Sequence, residues 1–116
     1  MSLSNDTTIA GNILAHLPSQ SQACEIFETL LSHLNVRVER IVSTGQASAP
    51  DFWFDQPQAE WVLLVQGSAT FRFEDEKDSR TLSEGDYLFI SPHRRHQVRY
   101  TQAEPPTVWL AIHIDV

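Results

Sequence analysis

The 116-residue sequence contains one cysteine, four glycines and one methionine, and none of its apolar runs approaches the length of a membrane span. The single Cys24 excludes an internal disulfide, and it has no neighbouring base in sequence that would favour a nucleophilic role. Basic residues are also few, with 8 Lys and Arg against 15 Asp and Glu, so the formal net charge is −7. An acidic surface repels phosphate backbones and anionic lipid, which makes nucleic acid and membranes poor candidates as partners.

Length and composition favour one folded domain in a reducing compartment. A hydrophobic fraction of 41% and a charged fraction of 20% are ordinary for a globular chain, and the length is sufficient for one core. The opening segment, MSLSNDTTIAGNILAHL, lacks the charged start and the apolar centre of a signal peptide. Together with the lone cysteine, this predicts a cytoplasmic location.

The first periodic segment is predicted to be an α-helix. Ser19, followed three residues later by Gln22, has the form of a capping box. Apolar residues then recur at helical spacing, at Phe27, Leu30, Leu31 and Leu34. We therefore predict one amphipathic helix over Gln20–Leu34, so that residues 1–35 form an arm and a helix that pack on the main domain.

From Val36 onward the hydrophobic period changes to two, which is typical of half-buried strands. Val36, Val38 and Val42 alternate with polar residues up to a turn at Gly45. Further strands are predicted at residues 60–66, 69–74, 80–82, 87–90, 97–101 and 107–114. About eight short strands at close spacing predict an antiparallel β-sandwich or barrel over residues 36–116.

The stretch GDYLFISPHRRH, from Gly85 to His96, resembles the second motif of the cupins. That motif reads G-x-x-x-x-x-P-x-G-x-x-H-x-x-x-N, and its histidine points into a small β-barrel as a metal ligand. Gly85 and His96 fall on the pattern, and the proline comes one residue late, at Pro92. His93 and Tyr100 stand where the pattern has its second glycine and its asparagine.

The first cupin motif is also matched in part. It ends in a glutamate followed seven residues later by a glycine, as Glu60 and Gly67 do here. Its two histidine positions are occupied by Trp53 and Asp55. The resemblance extends from about Gly45 to the C-terminus, and it implies an all-β fold, an antiparallel jelly-roll β-barrel, behind the single N-terminal α-helix.

The resemblance further implies a divalent-metal site formed by Asp55, Glu60 and His96, in which Asp55 replaces a histidine of the family. Two carboxylates and one imidazole suit Mn, Fe, Ni or Zn. In the alternative interpretation, His96 is a satisfied interior histidine and Glu60 is a buried acid. That acid would pair with an arginine, namely Arg72, Arg94 or Arg95.

Five more residues are predicted around the pocket. His93 lies in the loop at the barrel mouth, where it is either a fourth ligand or general acid, or an exposed side chain between arginines. His113 has the strand parity of Trp109, so it faces either the cavity or solvent. Three aromatic residues are candidates to line a ligand pocket, with core packing as the alternative: Trp53, Tyr87 and Tyr100.

Two classes of function stay open for a chain of this kind. In the first, it is a metal-dependent enzyme on a small polar molecule, where the metal polarises an oxygen or activates O₂ or water, and Glu60 or His93 moves a proton. In the second, it is a non-catalytic small-molecule binder or sensor with a degenerate metal site.

The strand at residues 60–66 also predicts assembly. If Glu60, Val62 and Leu64 point into the barrel, the alternate residues form an apolar row on its outside: Trp61, Leu63 and Val65. An uncovered apolar row invites association. We therefore predict a two-fold symmetric homodimer joined through the outer sheet face, with an N-terminal arm that can cross between subunits.

Overall fold

The computed structural model describes residues 9–116, in which the chain forms eight β-strands that pair antiparallel. Their bounds are β1 Ile26–His33, β2 Val36–Ser43, β3 Ala59–Gln66, β4 Ala69–Phe73, β5 Arg80–Leu82, β6 Tyr87–Ile90, β7 His96–Thr101 and β8 Thr107–Ile114. A five-stranded sheet has the order β1-β2-β8-β3-β6, and a three-stranded sheet has the order β5-β4-β7. The prediction of an all-β antiparallel fold is confirmed.

The two sheets face each other across one apolar core. Val62 and Leu64 of β3 and Trp109 of β8 are buried on the larger sheet, and they meet Phe71 and Phe73 of β4 on the smaller one. Within residues 9–116 the sheets are separate layers and do not join into a closed barrel. The fold is therefore a two-layer jelly roll, with room for a cavity between the layers.

Side-chain alternation along β3 follows the predicted parity. Glu60, Val62 and Leu64 are buried between the sheets, whereas Trp61 and Leu63 are half-buried on the outer face. Because β3 pairs with β8 in register, the neighbouring residues of β8 continue the same two faces. This register decides which of the predicted site residues can reach the cavity.

The predicted helix over Gln20–Leu34 is wrong, because the described part of the chain contains no helix and Ile26–His33 is strand β1. β1 pairs along its length with β2, and the turn between them is Leu34-Asn35, with Leu34 at φ 50°. β1 thus forms an edge of the five-stranded sheet. The division into residues 1–35 and 36–116 stays a prediction, since residues 1–8 lie outside the described residues.

A β-bulge explains the helix-like spacing of the apolar residues. The register of β1 against β2 shifts between Thr29 and Leu31, so one extra residue interrupts the alternation. Phe27 pairs with Ile41 on the inner face, whereas Leu31 pairs with Val38 on the outer face. An extra residue in a strand converts a period of two into spacings of three and four, which sequence periodicity cannot distinguish from a helix.

The segment before β1 covers part of the outer face of the larger sheet. The buried Arg40 side chain donates hydrogen bonds to the carbonyl oxygens of Ile13 (3.1 Å) and Ala15 (2.6 Å) and forms an ion pair with Glu28 (3.0 Å). In the described part of the chain, Tyr87 and Phe89 of β6 remain exposed on the other side of this face. Among residues 9–116 no helix has the length and apolarity needed to span a membrane.

Candidate functional site

A cavity of about 300 Å³ lies between the two sheets. Its polar lining consists of Glu25, Arg37, Glu39, Gln56, Glu60, His96 and His113. Aromatic rings contribute much of the apolar lining, namely Phe27, Phe54, Phe71 and Trp109. A cavity of this size with a few convergent polar groups is typical of small-molecule sites.

Strand register builds one polar wall of this cavity. His113 of β8 pairs with Arg37 of β2 on one side and with Glu60 of β3 on the other. Residues that are directly opposite on neighbouring strands point to the same face, so these three side chains form one cross-strand row. Glu39 lies two residues further along β2 on the same face, opposite Ala111.

Glu39 joins the members of this row. Its carboxylate accepts a hydrogen bond from Arg37 Nη1 at 2.7 Å through Oε2, and its Oε1 lies 3.2 Å from His113 Nε2. Burial raises the pKa of the nearby Glu60 carboxyl above its ordinary 4.5, and the negative charge of Glu39 adds to the effect, while His113 and Arg37 oppose it. Glu60 therefore retains its proton to a higher pH than an exposed glutamate.

His96 of β7 faces this wall from the smaller sheet. Its ring is stacked between Phe54, at a centroid distance of 5.5 Å, and Phe71, at 5.4 Å. Its Nδ1 lies 2.9 Å from the carbonyl oxygen of Arg94, so Nδ1 carries the hydrogen and donates it. Burial lowers the pKa of His96, which keeps the ring neutral and leaves Nε2 as a hydrogen-bond acceptor.

Asp55 and His93 pair with each other away from the cavity wall. Asp55 Oδ1 lies 2.7 Å from His93 Nδ1, and both side chains are exposed. His93 adopts φ 62°, a left-handed conformation, at the position where the cupin pattern has glycine. Its backbone N–H donates to the carbonyl oxygen of Gln56 (2.7 Å), so the pair holds the segment that carries Phe54 and Gln56 into the cavity.

As the side chains stand, the predicted metal ligands do not fit a shared ion. In the part of the chain that the structure describes, no three His, Cys, Asp or Glu residues are grouped so that they could hold a metal. Asp55 is paired with His93, and the Arg37 guanidinium lines the same cavity as Glu60 and His96. Asp55 would have to leave His93 to join Glu60 and His96 on one ion.

The predicted arginine partners of Glu60 are engaged elsewhere. Arg94 forms an ion pair with Asp75 at 2.8 Å, and Arg95 forms one with Glu74 at 3.0 Å. Arg72 lies over the ring of Trp53 at 5.9 Å and donates to the carbonyl oxygen of Glu76. Glu60 is thus buried, as the alternative interpretation predicts, but the charged groups near it are His113, Glu39 and Arg37.

The predicted aromatic lining of the pocket needs correction. Tyr87 pairs with Leu63 and shares the outer face of the larger sheet, where its ring lies 5.5 Å from that of Trp61. Tyr100 is exposed on β7, and Trp53 lies under Arg72. None of these three predicted residues lines the cavity, whereas the predicted His113 does.

Sequence reasoning missed Arg37 and Glu39 as site residues. They alternate with Val36 and Val38, and such a pattern normally places the valines inward and the charges in solvent. Here the two valines lie half-buried on the outer face, and the charged residues face the cavity. The signal for a cavity position would have been that both charged residues lie beside polar residues of the adjoining strands. Strand order, however, cannot be deduced from the sequence.

Glu60 is expected to make stability depend on pH. Because burial raises its pKa, the folded state binds the proton more tightly than the unfolded chain, so this contribution is present below 4.5 and is lost as pH rises through the folded-state value. In urea melts, the free energy of unfolding of the Glu60→Gln protein minus that of the native protein should therefore increase as pH rises from about 5 to about 8. Asp78→Asn, which removes an exposed charge outside the cavity, is the control, and a difference that stays constant with pH would contradict the assignment.

His93 is expected to carry backbone strain. Alanine at φ 62° keeps that strain, whereas glycine removes it, and both lose the contact with Asp55. The His93→Gly protein should therefore exceed the His93→Ala protein in free energy of unfolding by about 1 kcal/mol. Equal stability of the two variants in chemical denaturation would show that the loop relaxes to another conformation.

Comparison with known proteins identifies the class. The two-layer antiparallel jelly roll with a polar cavity between its sheets is the architecture of the cupins. The cupin-domain family Cupin_2 matches residues 39–113, which is more than half of the chain, so the protein belongs to this family. A search of curated proteins finds no match.

Solved structures agree with this assignment. A proposed mannose-6-phosphate isomerase from Ralstonia eutropha JMP134 is 45% identical, with a TM-score of 0.88, over 92% of this chain and 98% of that one. A cupin superfamily protein from Desulfitobacterium hafniense DCB-2 is 17% identical with a TM-score of 0.74 and full coverage of both chains. An RmlC-like cupin from Methanocaldococcus jannaschii is 12% identical with a TM-score of 0.64 over 81% of this chain and 83% of that one, and these two distant likenesses concern the fold alone.

Proposed function

We propose that the protein binds a small polar molecule in the cavity between its sheets and that it does so without a metal held by Asp55, Glu60 and His96. The single observation that carries this proposal is the polar wall Arg37–His113–Glu60, with Glu39, inside a cavity of about 300 Å³. Glu39, Glu60 and His113 are buried there, and the burial of ionisable groups costs free energy that a ligand bound to them can offset. The metal-dependent enzyme stays the competing proposal.

Binding is tested by nuclear magnetic resonance of the isotope-labelled protein. A library of small hydroxylated, amino and carboxylate compounds is added, and amide shifts are followed at the cavity residues. Shifts are expected to cluster at β2, β3, β7 and β8. Shifts confined to the exposed Asp55 and His93, or scattered over the outer face, would contradict the proposed site.

A second candidate function is proton transfer on a carbonyl compound. Glu60 and His96 line the cavity from opposite sheets, and burial moves the pKa of the acid up and that of the imidazole down, a pattern used for acid–base pairs. The name of the Ralstonia relative, an isomerase, favours this candidate. His96 Nε2 would take the proton from the carbon beside the carbonyl while protonated Glu60 gives its proton to the carbonyl oxygen, and the reverse transfers at the other carbon complete an isomerisation. Incorporation of deuterium from D₂O into mannose at the carbon beside the carbonyl, lost in Glu60→Gln, is the test.

The proposal extends to assembly through the outer face of the larger sheet. Tyr87 and Phe89 are 64% and 56% exposed there, beside the half-buried Trp61, Leu63 and Ile112. The part of this face formed by β3, β6 and β8 carries no charged side chain among the described residues, whereas the chain as a whole has a net charge of −7 that repels a second copy elsewhere on the surface. A second copy of the same sheet is therefore the cover that we propose.

The acidic net charge also supports small molecules, rather than nucleic acid or membranes, as partners. The single cysteine, Cys24, is exposed and supports a cytoplasmic location.

The assembly prediction is tested by light scattering. Leu63→Lys places a charge in the centre of this face and should convert a dimer into a monomer at micromolar concentration. Thr81→Lys, on the exposed surface of β5 in the smaller sheet, is the matched control and should leave the dimer intact. A native protein with the mass of one chain would contradict the prediction.

A further inference from the structure

The cavity wall is richer in acids than in bases. Glu25, Glu39 and Glu60 line it, against the single guanidinium of Arg37 and two imidazoles. Glu25 accepts a hydrogen bond from Ser43, which fixes its carboxylate at this wall. Even when Glu60 is protonated, the carboxylates of Glu25 and Glu39 outnumber the one guanidinium, so a phosphate group in the cavity would meet more negative than positive charge.

In the described part of the chain, no basic side chain that lines the cavity is free to compensate a phosphate. Arg37 already donates to Glu39 at 2.7 Å. Among the described residues, the two arginines that precede His96 are paired outside the cavity, Arg94 with Asp75 and Arg95 with Glu74. Phosphate sites generally offer arginine or lysine side chains, or a helix N-terminus, and the described chain has no helix.

The same wall suits hydroxyl groups. Arg37 and Gln56 can donate hydrogen bonds, whereas Glu39 and the Nε2 of His96 can accept them. A hydroxyl group both donates and accepts, whereas an ammonium only donates and would leave the guanidinium without a partner from the ligand. Aromatic faces at Phe54 and Trp109 provide apolar surface for the carbon side of such a molecule.

We infer that the cavity selects an uncharged, hydroxyl-bearing small molecule, such as a free sugar or polyol, and rejects its phosphorylated form. This inference rests on the proposed function and adds the class of ligand to it. The inferred ligand also differs from the one in the name of the Ralstonia relative, since that name specifies a sugar phosphate.

The test uses compounds that differ by one phosphate group. Free mannose and mannose 6-phosphate, and glycerol and glycerol 3-phosphate, are titrated into the full-length protein, and dissociation constants are taken from the amide shifts of cavity residues. We expect at least one uncharged compound to bind, with its phosphorylated partner weaker by about tenfold or more. Glu25→Gln should reduce that ratio by roughly fivefold, because it removes one of the repelling charges but keeps an oxygen that can accept from Ser43.

Asp78→Asn is the matched control for the change in net charge, since Asp78 is exposed and lies outside the cavity, and it should leave the ratio unchanged. Equal or tighter binding of the phosphorylated compounds to the native protein would overturn the inference and leave the proposed function standing. Absence of binding by both uncharged compounds would overturn the inference, and absence of binding by every polar compound in the wider library would overturn the proposed function as well.

Discussion

Replacing Gly67 by alanine is expected to lower the free energy of unfolding by roughly 3 kcal/mol or more. Gly67 lies at φ +97° in the turn that takes the chain from β3 in one sheet to β4 in the other. A Cβ at this position would stand 2.9 Å from Cα and 2.8 Å from Oγ1 of Thr107, which is fully buried at the start of β8. Thr107 pairs with Ser43 of β2, and its hydroxyl donates a hydrogen bond to the carbonyl oxygen of Gln102 at 2.8 Å, so it cannot move aside without losing these contacts.

Gly85→Ala is the matched control for this substitution. Gly85 has a similar φ of +92°, but a Cβ there would have open space around it. Gly85→Ala therefore introduces backbone strain alone, whereas Gly67→Ala introduces both backbone strain and a steric clash with the backbone of β8. Urea melts of the two proteins should differ by about 2 kcal/mol, and equal stability would show that the turn at Gly67 does not require close approach to Thr107.

Replacing His96 by alanine is expected to lower the free energy of unfolding by about 2–4 kcal/mol, because it removes a ring that is stacked between Phe54 and Phe71 in the core. His96→Phe keeps an aromatic ring there, so it should retain most of the stability in the same urea melts.

The two His96 variants also separate packing from binding. His96→Phe loses the Nε2 acceptor, so it should weaken binding of an uncharged sugar by about tenfold while it stays folded. Binding of native strength by His96→Phe would show that the imidazole serves the core alone. If His96→Phe instead loses both stability and binding, the imidazole is required for folding, for example through its hydrogen bond to the Arg94 carbonyl oxygen.

Much of the fold could be predicted from the sequence because strand alternation and turn residues are local signals. The strands at residues 80–82, 87–90 and 107–114 were predicted with the observed bounds, and the motif glycines Gly67 and Gly85 do occupy positive φ. The helix was wrong because a bulge in β1 imitates helical spacing. What local patterns cannot supply is the order of strands in a sheet.

The candidate site was only partly predicted for the same reason. Glu60, His96 and His113 do line the cavity, since strand parity and the motif position fix the face on which each side chain lies. Asp55 instead pairs with His93, because the loop that carries it is placed by long-range contacts rather than by an alternating pattern. Arg37 and Glu39 became visible only once β2 was seen beside β8.

The most direct test is the metal content of the protein. Native protein and the folded His96→Phe variant are purified without chelator, dialysed against trace Zn, Mn, Fe and Ni, and examined by elemental analysis. Because Asp55, the third predicted ligand, is paired with His93, and no three suitable side chains are grouped among the described residues, both proteins should contain far less than one metal ion per chain. One metal ion per native chain, lost in His96→Phe and in Asp55→Asn, would contradict a metal-free cavity and establish the metal site.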